Sequence, residues 1–105
     1  MRPEDRSPDN PFEWLRRADS NLARAKADAR LPGVCLEDLC FDAQQAAEKA
    51  IKALLVRQRV DFPYVHDLGR LLSLLAAAGT AVPDHVRDAR ELTRFATHAR
   101  YPGLA

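Results

Sequence analysis

The sequence predicts an all-α fold, an antiparallel up-and-down bundle of four helices. Three observations carry that prediction. Alanine and leucine dominate the apolar residues, Ile51 is the sole isoleucine and valines are few, a balance too poor in β-branched residues for a sheet protein. Apolar residues recur at spacings of three and four in four separate stretches. Pro and Gly punctuate the chain between those stretches, and the short connections they leave favour neighbouring helices of opposite direction. With 105 residues, 47% hydrophobic and 30% charged, the chain has the content of one small globular domain.

Residues 1–10 combine prolines and mixed charge without apolar periodicity and read as a flexible lead-in, leaving 11–105 as a single helical domain. Asn10 suits a helix cap, Pro11 the first helical position, and Glu13 the third, where a capping box places its acid. The stripe Leu15, Ala18, Leu22, Ala25 and Ala29 follows, and Pro32-Gly33 ends this first helix near Arg30. A second helix presents Leu36, Leu39, Cys40, Ala43, Ala47, Ala50, Ile51 and Leu54 on one face, with Asp42, Gln45, Glu48, Lys49 and Lys52 among its polar positions. Its acidic start and basic end suit the helix dipole, and Asp61-Phe62-Pro63 breaks it. Asp67 caps a third helix carrying Leu68, Leu71, Leu72 and Leu75, which Gly79 stops. A fourth opens at Pro83 or Asp84, with Val86, Ala89, Thr93 and Ala96 on one stripe, Leu92, Phe95 and Ala99 beside it, and Pro102-Gly103 as its end.

Sixteen basic residues against fifteen acidic ones leave a net charge of +1, which excludes nucleic-acid binding by bulk charge but not by a local patch. The most apolar run, Leu71 to Ala78, is far shorter than the roughly 18–20 residues of a membrane span, so no membrane association is expected. The stretch from Met1 to Asp9 lacks the apolar region of a signal peptide. Cys35 and Cys40 lie five apart in a helical pattern, point to different faces, and read as small buried thiols of a protein in a reducing cytoplasm.

Three histidines are the titratable candidates for chemistry. His66, just before the cap Asp67, reads as a capping or loop side chain, and His85 as a surface residue. Arg94 and His98, four apart on one helix face, join Arg90, Arg100 and Tyr101 in a basic patch with an aromatic neighbour. An Arg–His pair can grip a scissile phosphate and protonate a leaving oxygen without a metal, although the same spacing is common on solvated helices. No Cys-x2-Cys or His-x3-His spacing supports zinc, and there is no P-loop, Gly-x-Gly-x-x-Gly or Gly-x-Ser-x-Gly motif, so neither metal nor cofactor is expected. Gln44, Gln45, Glu48 and Lys49 read as a polar helix face, with Glu48 and Lys52 forming an i,i+4 pair.

The stretch from Phe41 to Leu55, Phe-Asp-Ala-Gln-Gln-Ala-Ala-Glu-Lys-Ala-Ile-Lys-Ala-Leu-Leu, resembles the second-helix signature of HEPN domains, the higher eukaryote and prokaryote nucleotide-binding family. Trp14-Leu15 with Ala18 and Leu22 resembles that family's first helix. His66-Asp67-Leu68 with Leu71-Leu72 resembles its His-Asp-Leu start of the third, and Arg100-Tyr101-Pro102-Gly103 resembles its close. These landmarks stand in the family's order across about residues 12–103. The resemblance implies an all-α bundle that dimerises, a small prokaryotic stand-alone protein, and a minimal nucleotidyltransferase as partner, in a two-component or toxin–antitoxin pair. Some members are metal-independent ribonucleases with an Arg-x4–6-His motif. Here Arg94 and His98 enclose three residues and Arg90 and His98 seven, so neither pair has that spacing. Many relatives continue beyond Arg-Tyr-Pro-Gly into a further helix, and a groove left uncovered is expected to be hidden by a partner.

The expected function is therefore that of a non-catalytic nucleotide- or nucleic-acid-binding module, dimeric and cytoplasmic. Lys49, Lys52, Arg94, His98, Arg100 and Tyr101 are the expected phosphate contacts, since arginine forks and lysine charges suit phosphate oxygens. A ribonuclease toxin using Arg94 and His98, and a pure protein-interaction module, are the alternatives. The fourth helix, with Phe95 and Tyr101, is expected at the dimer seam.

Overall fold

A computed structural model describes residues 7–96, which hold four α-helices and one 3-10 segment and no strand. Helix α1 spans Pro11–Asp28, α2 Leu36–Arg57, α3 Leu68–Ala77 and α4 Asp84–Arg87, with the 3-10 segment Asp88–Ala96 directly after it. Asn10 caps α1 through its side-chain oxygen, which accepts the Phe12 N–H at 3.0 Å, and Pro11 takes the first helical position. The expected capping box does not form. The Glu13 carboxylate turns along the helix to the Arg16 and Arg17 guanidiniums, where it accepts three bonds from charged donors at 2.8–2.9 Å in place of one from a neutral backbone amide. Asp67 caps α3, accepting the Arg70 N–H at 3.3 Å, as its position predicts.

Helices α2 and α3 end in the same way. Val60 N–H bonds back to Leu55 and Arg59 N–H to Val56 after α2; Thr80 N–H bonds to Leu75 and Gly79 N–H to Ala76 after α3. Both are Schellman motifs, in which the residue after the cap must adopt positive φ. Gly79 does so at +94°, the stop its sequence position predicts, and Arg59 does so at +58°.

The core lies between α2 and α3. Ile51 and Leu55 meet Leu68, Leu71, Leu72 and Leu75, with Val60, Phe62 and Val65 of the connecting segment packed against them. Complete burial of Leu55, Leu68 and Leu71 contributes about 1.5–3 kcal/mol each relative to exposure. The directions of these two helices differ from the expected alternation. Gln44 of α2 bonds the His66 carbonyl just before α3 begins, while Gln58 at the end of α2 bonds Thr80 just after α3 ends. Helices α2 and α3 therefore run in the same sense. The connection 58–67 makes this possible, because extended chain covers about 3.3 Å per residue and can return along α2.

The last element is helical where expected but changes type. After one turn of α4 the chain tightens into 3-10 geometry, and Val86, Ala89 and Leu92 pack on the core. Their spacing of three matches three residues per turn, whereas the expected stripe had followed the α-helical period. Thr93 accepts the Leu68 N–H at 3.0 Å and so ties this segment to the start of α3.

Helix α1 packs against α2 with Glu13, Ala18 and Asn21 buried, so Leu15 and Leu22 of its expected apolar stripe are exposed. On α2 the polar Asp42, Gln44, Glu48 and Lys52 are buried while Leu36 and Leu54 are exposed, because the helix is covered on more than one side. Cys35 precedes α2 and is exposed, and Cys40 is half-buried, so Cys35 is not the buried thiol that was expected. Among the described residues no helix is long and apolar enough to cross a membrane.

Candidate functional site

On α2, Gln44, Glu48 and Lys52 recur every four residues and share one face. The connection 58–67 returns beside that face and brings Phe62, Tyr64 and His66 to it. Glu48 lies at the centre, with 3% of its surface exposed. Its carboxylate accepts Lys52 Nζ at 2.9 Å, Gln44 Nε2 at 3.2 Å and His66 Nδ1 at 2.9 and 3.1 Å. An ionised carboxylate only accepts, so Nδ1 carries the imidazole proton. Half of the His66 side chain remains exposed.

Lys52 is as buried as Glu48, at 3% exposure. Its ammonium sits 5.6 Å from the centres of the Trp14 and Phe62 rings and 5.8 Å from that of Tyr64. One side of the charge is thus neutralised by Glu48, and aromatic faces surround another. Trp14 comes from α1, where its indole N–H donates to the Pro8 carbonyl at 2.8 Å, and its ring meets Phe62 edge-on at 6.3 Å. Over this floor opens a cleft of about 770 Å³, bordered by Trp14, Lys52, Arg59, Asp61, Phe62, Tyr64 and Asp9. Its size is that of a small-molecule site. Among the described residues no cluster of histidine, cysteine or acidic side chains is placed to hold a metal ion.

The residues expected at the site are distributed differently. Lys52 belongs to the buried cluster. Lys49 turns to α1 and donates to Asn21 Oδ1 at 2.6 Å, and burial pushes its ammonium below the ordinary lysine range, an effect that Glu48 opposes. Arg94 is exposed on the 3-10 segment. His98, Arg100 and Tyr101, the end of the last helix at Pro102-Gly103 and the side chain of Phe95 lie outside the described residues. His85 is exposed, as expected.

His66 is the residue whose role sequence reasoning missed. It occupies the predicted loop, but it does not cap: it crosses to Glu48, 18 residues earlier. The Glu48–Lys52 pair expected on a polar face does form, at the bottom of a cleft instead. One signal was present. Phe62, Tyr64 and His66 alternate in a segment that is not helical, and alternation places side chains on a common side.

A comparison with protein-family models matches the HEPN domain over residues 12–105. Neither a curated protein nor a solved structure matches the chain significantly.

Proposed function

Because the chain belongs to the HEPN domain family, we propose that it is a nucleotide- or RNA-binding module that does not cleave its ligand, acting as a cytoplasmic homodimer beside a minimal nucleotidyltransferase. The cleft carries this reading. Three aromatic rings around about 770 Å³ offer the stacking that holds a nucleotide base, with Arg59, Asp9 and Asp61 as polar groups in the lining. Lys49, Arg94, His98, Arg100 and Tyr101 are the proposed phosphate contacts. Lys52, enclosed and paired with Glu48, organises the cleft floor instead. The three residues between Arg94 and His98 favour binding over ribonuclease action, given the wider spacing of the family's catalytic motif.

The association with other chains is supported by α1. Phe12, 76% exposed, with Leu15 and Leu54 borders a groove of about 300 Å³ between α1 and α2. Large apolar side chains left in water side by side on two neighbouring helices are characteristic of interaction surfaces.

Isothermal titration with ATP, GTP and a short RNA tests the binding role, with the RNA recovered and sized afterwards. Saturable heat with an intact RNA is the expected result. No heat with any of the three overturns it, and cleavage that disappears in His98→Ala replaces it with the ribonuclease reading. Light scattering of the purified protein tests the homodimer, and co-purification with the product of a neighbouring nucleotidyltransferase reading frame tests the partner.

A further inference from the structure

The polar groups of the cleft suit a base and not a phosphate. Lys52 and Arg59 contribute two positive charges to its lining, and Asp9 and Asp61 contribute two negative ones. The Lys52 ammonium is withdrawn from solvent, bonded to Glu48 and surrounded by rings, so it has little charge to offer an incoming anion. Carboxylates in the lining repel phosphate, yet they accept N–H bonds, which the exocyclic amino groups of bases supply. The apolar part of the lining combines Pro8, Val56 and Val60 with three aromatic rings, Trp14, Phe62 and Tyr64. Trp14 is held by its bond to Pro8, and Tyr64 stands 94% exposed at the edge, a large ring that is not covered by the protein around it.

We infer that the cleft bordered by Trp14, Phe62 and Tyr64 receives a neutral planar base, stacked on its aromatic rings and bonded through amino groups to Asp61 or Asp9, while the ligand's phosphate stays outside. This rests on the nucleotide-binding reading and makes it specific. A free nucleotide and an unpaired base of a strand share this chemistry.

Trp14 is the single tryptophan of the sequence, so its fluorescence reports on the cleft directly. The full chain is titrated with adenosine, AMP, an RNA hexamer, an abasic hexamer, ribose 5-phosphate and inorganic phosphate, and binding of a labelled hexamer is followed in parallel by anisotropy. Base-bearing ligands are expected to quench Trp14 saturably, and the abasic hexamer, ribose 5-phosphate and phosphate to leave it unchanged. Quenching by adenosine and AMP identifies a free nucleotide as sufficient, and quenching by the hexamer alone identifies a base presented by a strand. Tyr64→Ala is expected to weaken the quenching ligand roughly ten-fold, the loss of one stacking partner, with an unaltered unfolding midpoint because the ring is exposed. Equal quenching by base-bearing and base-free ligands overturns the inference, as does an unchanged affinity in Tyr64→Ala. Hexamer binding by anisotropy without any quenching overturns the cleft assignment and leaves the broader reading standing. No binding by either method, and no heat by calorimetry, overturns both.

Discussion

Glu48 and His66, 18 residues apart, are joined through the imidazole Nδ1 at 2.9 Å, and the same carboxylate holds Lys52 at 2.9 Å. One buried acid thereby binds a helix to the segment that returns beside it. It fixes the imidazole tautomer and neutralises the lysine over which three aromatic rings converge. The cleft is consequently shaped by an internal salt bridge, and its cation faces inward.

That arrangement predicts an asymmetry between breaking and replacing the pair. Glu48→Ala leaves a buried ammonium without its partner and should cost about 3–5 kcal/mol. Replacing both, Glu48→Leu with Lys52→Met, removes the uncompensated charge and should recover most of that loss. Guanidinium unfolding of the three proteins measures it. A Glu48→Ala loss below about 1 kcal/mol would mean that the pair behaves as a solvated surface bridge.

The two Schellman motifs predict opposite effects from related substitutions. Left-handed backbone costs a residue with a Cβ about 1–2 kcal/mol, against which glycine's greater freedom in the unfolded chain is set. Arg59→Gly should therefore stabilise the protein by about 0.5–1 kcal/mol, since Arg59 holds φ at +58°. Gly79→Ala should destabilise it by about 1 kcal/mol although nothing lies within 4 Å of the added methyl group, so the cost is in the backbone alone. Paired denaturation curves decide the matter, and a stabilising Gly79→Ala would contradict the motif.

Much of the fold was legible because it rests on local rules. Asn10, Pro11, Asp67 and Gly79 act where their types and spacings place them, and each answers to neighbours within a turn. The HEPN landmarks were legible for the same reason, as ordered local patterns. What escaped depends on the path of the chain between helices. The shared direction of α2 and α3 follows from a connection that folds back, and periodicity within either helix carries no record of it. Burial of Asp42, Glu48 and Lys52 follows in turn, because a helix covered on several sides buries residues that a one-faced pattern assigns to water. His66 could be placed in a loop from sequence, but its partner lay across that fold.

Glu13 gives the protein a dependence on acid that can be traced to one residue. Hydrogen bonds from Arg16, then Arg17, hold its carboxyl at about 2, below the 4.5 of a free glutamate. Between those values the unfolded chain binds a proton that the folded chain refuses, so stability falls as the pH falls. The contribution is complete above about pH 4.5, declines through the interval, and is gone once the folded carboxyl titrates near 2. Glu13→Gln removes the charge and should be less stable than the parent at pH 7, with the difference closing as the pH approaches 2. Added salt should narrow the gap at pH 7, since both arginines are exposed and their attraction is screened. Denaturant midpoints of both proteins across this range provide the measurement. A gap as wide at pH 2 as at pH 7 would show that Glu13 acts through packing and not through its charge.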